Sequence, residues 1–180
     1  MGQKNLIIFL DCGDTIIDEG TEIRDEQDTV IHGNVIPGAD MMVKTLAERG
    51  YRLAIVADGS AQSFKNLLTQ HDLYDCFETL IYSETIKASK PSVRMFKAAL
   101  GAMDLSERDC SRIIMVGNNL SRDVKGANQM GITSVFLSWT SRYPKVPADD
   151  LEVPNYTIST PLELIDLVEK LNHQLDVHVS

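Results

Sequence analysis

A run of four apolar residues, "IIFL" at positions 7–10, is followed directly by a cluster of acidic residues. Asp11 comes first, Asp14 and Thr15 follow within four positions, and Asp18 closes the cluster. The apolar run has the length and composition of a buried strand. Because a carboxylate at the end of such a strand can act as a nucleophile or hold a cation, this cluster is the first candidate for chemistry.

Polar segments also follow three later apolar runs. They are "ADGS" at 57–60, "SETIKASKPS" at 83–92 and "GNNLSRD" at 117–123. Between them these segments carry carboxylates, amides, hydroxyls and a Lys-Pro pair at Lys90. That combination suits a site that holds a cation and an anion together, as phosphoryl transfer requires.

The elements that must position these segments alternate between strand and helix. The apolar runs predict strands at 6–11, 52–56, 79–82, 113–116 and 133–137. Amphipathic segments predict helices at 38–49, 61–71, 92–103, 121–130 and 161–172. This order predicts an α/β fold, a three-layer Rossmann-like sandwich with helices on both faces of a parallel sheet. Ligands bind beyond the carboxyl ends of such strands, so the polar segments should meet at one edge.

The ordered set of polar segments resembles the haloacid dehalogenase-like (HAD) superfamily, most of whose members are magnesium-dependent phosphatases. Its four motifs are a strand ending in Asp-x-Asp-x-Thr, a strand ending in Thr or Ser, a Lys often followed by Pro, and a strand ending in Gly-Asp with another Asp a few residues on. Here the counterparts occur in that order between residue 6 and about 140, each after a predicted strand. The resemblance implies an HAD-like fold.

The resemblance also implies roles for individual residues. Asp11 is the implied nucleophile, which forms an aspartyl-phosphate, and Lys90 offsets the charge between that carboxylate and the phosphoryl group. The implied Mg²⁺ ligands are Asp11, the Gly13 carbonyl, Asn118 and Asp123. The implied substrate-binding residues are Thr15, Ala57, Asp58, Gly59, Ser60 and Asn119.

Three positions depart from the family pattern. Gly13 stands where the family has its general acid/base Asp, Ala57 where it has a hydroxyl residue, and Asn118 where it has a metal-binding Asp. Asp14 is one residue too far along to take over the acid/base role. Because a missing general acid/base costs about 10²–10⁴-fold in rate, these departures predict a phosphatase that is weak or selective for good leaving groups.

Two other functions compete with this interpretation. A catalytically impaired member could keep the fold and work through binding or oligomerisation. A metal-free dehalogenase-like hydrolase would also use Asp11, but such enzymes carry an aromatic residue at the Gly13 position and a cap domain. Individual residues also have alternative interpretations. Asp123 could be an ordinary first-turn helix residue rather than a metal ligand. The segment 138–147 could form a substrate rim, a subunit contact or a packed loop.

The spacing of the motifs leaves no room for a cap domain. A flap at about 16–36 separates motif one from the first predicted helix, and one helix and one strand separate Ala57 from Lys90. We therefore expect residues 1–180 to form a single domain, closed by the helix at about 161–172. The acidic residues of the flap are interpreted as a solvated face.

Composition restricts the partners and the compartment. The net charge of −9 argues against a nucleic-acid backbone or an anionic membrane as a partner. The three cysteines are odd in number and scattered, which favours reduced thiols and a cytoplasmic location. The expected partner is a small phosphorylated substrate or a phosphorylated macromolecule, and homo-oligomerisation stays open.

Overall fold

The computed structural model describes residues 4–179 and contains a six-stranded parallel sheet. In chain order its strands are β1 (Ile7–Leu10), β4 (Arg52–Ala57), β5 (Thr79–Tyr82), β6 (Ile113–Gly117), β7 (Thr133–Leu137) and β8 (Tyr156–Ile158); β2 (Ile23–Arg24) and β3 (Val30–His32) form a separate hairpin. The sheet order is β5-β4-β1-β6-β7-β8. The chain leaves β1 toward β4 on one side and later returns to β6 on the other. The topological switch point therefore lies between β1 and β6.

Helices cover both faces of this sheet. They are α1 (Ala39–Glu48), α2 (Ala61–Gln70), α3 (Ser83–Ile86), α4 (Val93–Ala102), α5 (Lys125–Met130) and α6 (Glu163–Val179). Successive side chains of a strand point to opposite faces, so Ile8 and Leu10 pack with α1, α2 and α6, whereas Ile7 and Phe9 pack with α4 and α5. The predicted three-layer sandwich is confirmed.

Some element boundaries differ from the prediction. The segment predicted as one helix at 121–130 begins with a wide turn at Leu120–Val124, in which the Val124 N–H donates to the Asn119 carbonyl at 3.3 Å, before α5 starts. The helix predicted at 161–172 extends over Glu163–Val179. Strand β8 was not predicted, because a three-residue strand at the edge of a sheet gives almost no hydrophobic period.

The segment predicted as a flap contains the β2–β3 hairpin and lies against α2. The Val30 N–H donates to Ser63 Oγ at 3.0 Å, and Asn66 Nδ2 donates to the Val30 carbonyl at 2.8 Å. Between Ala57 and Lys90 the chain forms only α2, a short helical turn, β5 and α3. Within residues 4–179, neither segment holds a cap domain. None of the described helices is both long and apolar enough to cross a membrane.

Candidate active site

Asp11 lies at the switch point of the sheet. Its N–H donates to the Val116 carbonyl of β6 at 2.9 Å, which fixes the end of β1 beside β6. The chain then turns back, because the Cys12 carbonyl accepts the N–H groups of residues 15, 16 and 17 at 2.8–3.3 Å. The Asp11 side chain keeps 14% of its surface exposed, so its carboxylate can be reached from solvent.

Lys90 joins motif one to motif four. Its ammonium Nζ lies 2.8 Å from Asp11 Oδ1 and 2.7 Å from Asp123 Oδ1, and its side chain is 1% exposed. Its own N–H donates to Asp58 Oδ1 at 2.9 Å. Burial alone lowers the pKa of an ammonium group, but the charges of Asp11, Asp123 and Asp58 outweigh burial and raise the pKa of Lys90. Lys90 is therefore a cation at neutral pH.

Asp123 is positioned by the wide turn that follows β6. Its Oδ2 accepts the Asn119 N–H at 3.0 Å, while Oδ1 faces Lys90. A Cβ atom added to Gly117 would lie 2.2 Å from the Asp123 carboxyl carbon, so the close approach requires glycine there. Burial, followed by the charge of Asp11, raises the pKa of Asp123 to about 7. Two carboxylates thus compete for one ammonium group.

The segment after β4 contributes an acid and a helix cap. Asp58, Gly59 and Ser60 line the cleft, but Ala57 is fully buried at the end of β4. Ser60 Oγ accepts the Ser63 N–H at 3.3 Å and so caps α2. The loop is closed by a hydrogen bond of 2.8 Å from the Gly59 N–H to the Ser83 hydroxyl.

The remaining predicted site residues differ in access. Asn118 lines the cleft, and its Nδ2 is buried without a hydrogen-bond partner in the described part of the chain. Asn119 accepts the Arg122 N–H at 3.2 Å through its side chain and is therefore a cap of the wide turn. Thr15 is completely buried and does not line the cleft, so its position suits support of the loop. Asp123 lies behind Lys90.

A cleft of about 410 Å³ opens at this edge of the sheet. Its floor contains Asp11, Gly13, Lys90 and Asn118. Its walls come from the flap, α2, the wide turn after β6 and the segment after β7. The wall residues outside the predicted site are Glu19, Glu22, Arg24, Asp28, Val30, Ser63, Phe64, Leu67, Arg122 and Tyr143. The acidic flap was interpreted as a solvated face, whereas three of its carboxylates border the cleft.

Among the polar cleft residues that the sequence did not assign to the site are Glu19, Arg122 and Tyr143. The Tyr143 hydroxyl donates to Glu19 Oε2 at 2.9 Å, and the Arg122 guanidinium carbon lies 5.2 Å from the Tyr143 ring centroid. Arg122 also approaches Asp58 Oδ2 at 3.6 Å. Burial raises the pKa of Glu19. The sequence offered one signal for these residues, because Tyr143 lies in the segment 138–147 that could form a substrate rim. Tyr143 does border the cleft.

A family model described as haloacid dehalogenase-like hydrolase matches residues 14–137, more than half of the chain. The chain belongs to this family. The matched region begins at the loop after β1 and ends with β7, so it contains motifs two, three and four. The predicted family is confirmed.

Relatives of this HAD-like chain include phosphatases and a dehalogenase. It is 28% identical to a glyceraldehyde 3-phosphate phosphatase of Pyrococcus furiosus, over 81% of this chain and 59% of that protein. It is also 28% identical to an (S)-2-haloacid dehalogenase of a Pseudomonas species, over 71% of this chain and 50% of that protein. A HAD phosphatase of Thermococcus onnurineus superposes with a TM-score of 0.64 at 26% identity, over 75% of this chain and 58% of that one. The chain thus spans little more than half of these relatives.

The donor set of this HAD-like site fits a hard cation such as Mg²⁺. Asp11 and Asp123 share the one ammonium of Lys90, so the three groups carry one negative charge in excess when both acids are ionised. The buried amide of Asn118 has an unpartnered end in the described chain, and a half-turn of that amide presents its oxygen there. Residues 4–179 contain no cluster of three or more His, Cys, Asp or Glu that could hold a metal. Water and substrate oxygens must complete the shell, as is usual for Mg²⁺.

Proposed function

We propose that this chain is a magnesium-dependent phosphoric monoester hydrolase that works through an aspartyl-phosphate on Asp11. One observation carries the proposal: a solvent-reachable carboxylate pairs at 2.8 Å with a buried lysine at the carboxyl edge of the sheet. The lysine orients the nucleophile and supplies the positive charge that phosphoryl transfer needs. The phosphatase relatives support the same chemistry.

The chemistry divides between Asp11 and Lys90. A carboxylate oxygen of Asp11 bonds to phosphorus as the ester oxygen leaves, and water then cleaves the acyl phosphate, returning Asp11 as a carboxylate. The buried Lys90 ammonium lies beside the nucleophile and offsets the charge that builds up between it and the phosphoryl oxygens. Asp58 accepts the Lys90 N–H and so keeps the lysine, with its positive charge, in place during both steps.

When bound, Mg²⁺ would neutralise negative charge on the phosphoryl oxygens. The residues that would hold it are Asp11, the Gly13 carbonyl, Asn118 and, directly or through water, Asp123. Asn118 contributes an amide oxygen where the family uses a carboxylate. We therefore expect weaker binding of the metal than in a site with one more negative charge.

The substrate is proposed to be a small phosphate monoester. A volume of about 410 Å³ is within the range of small-molecule sites. Arg24 and Arg122 on its walls can pair with an anionic substrate, while Glu22 and Asp28 disfavour a polyanion. A phosphorylated macromolecule remains the alternative substrate class, since no cap domain covers the cleft within the described residues.

The dehalogenase relative favours a second candidate, hydrolysis of a 2-haloacid by the same nucleophile. The departures at Gly13, Ala57 and Asn118 favour a third, a binding protein without catalysis. A panel of phosphate monoesters and 2-chloropropionate separates the three, because each candidate predicts a different set of products.

The experiment measures released phosphate and chloride with and without Mg²⁺, for the wild type, Asp11→Asn and Asp72→Asn. Asp72 is an exposed turn residue remote from the cleft, and Asn tolerates its left-handed backbone at φ 55°. We expect Mg²⁺-dependent phosphate release that Asp11→Asn abolishes and Asp72→Asn retains. Phosphate release by Asp11→Asn at the wild-type rate would refute the nucleophile, and release of chloride alone would establish the dehalogenase.

A further inference from the structure

The Glu19 carboxyl group occupies the space above Gly13. A Cβ atom built on Gly13 would lie 2.3 Å from Glu19 Oε1 and 3.1 Å from Glu19 Cδ. Real Cβ atoms do not approach a neighbour so closely, so a side chain at residue 13 would displace the Glu19 carboxyl group from its present place. Gly13 is the position at which the family carries its general acid/base.

The backbone gives no reason for glycine at position 13. The described glycines in the left-handed region are Gly38, Gly50, Gly59 and Gly131. Gly13 is not among them, so an L-residue fits its φ and ψ angles. The Glu19 carboxyl group therefore fills the space that a side chain at position 13 would use.

The loop holds Glu19 in this place through several contacts. Its N–H donates to Asp14 Oδ1 at 3.0 Å, and Asp14 is fixed in turn by Arg142, whose Nε lies 2.7 Å from Asp14 Oδ2. Tyr143 donates its hydroxyl to Glu19 Oε2 at 2.9 Å. Oε2 is therefore anchored, and Oε1 is the oxygen that lies over Gly13.

The other carboxylates near the site are already committed. Asp14 is completely buried against Arg142. Asp58 accepts the Lys90 N–H through Oδ1, and its Oδ2 lies 3.6 Å from the guanidinium of Arg122. Glu22 and Asp28 both pair with Arg24, at 2.7 and 3.4 Å respectively. Glu19 has a neutral hydroxyl as its hydrogen-bond partner, with the Arg142 Nε more distant at 4.0 Å, and it borders the same cleft as Asp11.

We propose that Glu19 is the general acid and base of this chain and replaces the carboxyl group that Gly13 lacks. The inference rests on the proposed phosphatase function. The Glu19 carboxyl gives its proton to the ester oxygen as the phosphorus–oxygen bond breaks and the bond from Asp11 to phosphorus forms. The Glu19 carboxylate then takes a proton from water, whose oxygen bonds to phosphorus as the Asp11–phosphorus bond breaks. Phosphate leaves, and both acids return to their starting states. With this donor, the enzyme is not restricted to good leaving groups.

The experiment compares variants over a series of monoesters of rising leaving-group pKa, from 4-nitrophenyl phosphate through phenyl phosphate to an alkyl phosphate. Glu19→Gln preserves the shape of the side chain, and Glu26→Gln, an exposed flap residue outside the cleft, is the matched control. We expect Glu19→Gln to lower kcat/KM on the alkyl phosphate by about 10²–10⁴-fold and on 4-nitrophenyl phosphate by less than about tenfold. Glu26→Gln should retain the wild-type dependence on leaving group.

A swap of the carboxyl group between the two positions provides a second readout. Glu19→Ala should show the same selective loss, and Gly13→Asp in the Glu19→Ala background should recover at least about tenfold on the alkyl phosphate, because the two side chains compete for one space. Equal losses on all esters in Glu19→Gln, or no loss, would overturn the role of Glu19. The proposed phosphatase function would still stand in that case, provided that Asp11→Asn abolishes hydrolysis. Absence of hydrolysis by the wild type would overturn both.

Discussion

Replacing Lys90 by methionine measures how strongly the buried charges at the site depend on one another. Lys90 and Asp123 are each 1% exposed and lie 2.7 Å apart, and Lys90 also pairs with Asp11. Removal of one partner from a buried ion pair costs about 3–5 kcal/mol, because the remaining charge is left without compensation. In Lys90→Met, Asp123 keeps only the Asn119 N–H as a donor among its described contacts.

The loss should depend on pH. Burial and Asp11 raise the pKa of Asp123 to about 7 even with Lys90 present, and removal of Lys90 raises that pKa further. An acid whose pKa is higher in the folded than in the unfolded state binds its proton more tightly when folded, so it destabilises the fold as the pH rises above the unfolded pKa of about 3.9. Each pH unit in that window changes the free energy of unfolding by about 1.36 kcal/mol. We therefore expect a small deficit at pH 5 and the full deficit at pH 8.

Urea denaturation in EDTA at pH 5 and pH 8 measures these free energies. Lys90→Met/Asp123→Asn removes the buried charge as well and should recover at least about 2 kcal/mol over Lys90→Met at pH 8. Lys97→Met is the control, since the Lys97–Glu107 pair is more than half exposed on both sides and should change stability by less than about 1 kcal/mol. An equal deficit at both pH values, or no recovery in the double variant, would refute the reasoning.

Three further predictions concern glycine and amide positions. Gly117→Ala should lower phosphatase kcat at least tenfold, because its Cβ would lie 2.2 Å from the Asp123 carboxyl carbon, and a wild-type kcat would contradict this expectation. Gly101→Ala in α4 should instead raise the free energy of unfolding by about 0.5–1 kcal/mol, because its Cβ would have no heavy atom within 4 Å. Asn172→Ala should lower the free energy of unfolding by about 2–4 kcal/mol because Asn172 Oδ1 accepts the Asn5 and Leu6 N–H groups at 2.8 and 3.0 Å, and a loss below about 1 kcal/mol in urea would show that water replaces it.

Much of the fold could be predicted because its strands are buried on both faces. Such strands read as continuous apolar runs, and the five predicted ones are all present in the sheet. Strand β8 was not predicted because it is a short edge strand that follows an irregular segment. The wide turn at Leu120–Val124 was not predicted for another reason: a single turn of longer hydrogen bonds changes the hydrophobic period of a helix only slightly.

The predicted residues that line the cleft lie at the strand ends, whereas the cleft residues that the sequence left out come from the flap, from α2 and from later loops. Asp11, Lys90 and Asn118 reach one cleft because parallel strands end at one edge. Glu19 could not be identified in the same way, because its position depends on the turn after Cys12 and on Arg142 and Tyr143, more than a hundred residues away. A motif records only which side chain a position carries.

Gly13 is the position at which this chain departs most clearly from the family's first motif. The sequence marks it as a lost acid, and a lost acid predicts a weak enzyme. The structure adds that the vacated space contains another carboxyl group, delivered by a short helical turn that begins at Glu19 and is capped by Asp18. A departure from a motif therefore predicts lost chemistry only when the space it opens stays empty. For this chain, the Gly13→Asp and Glu19→Ala exchange decides between a lost acid and a relocated one.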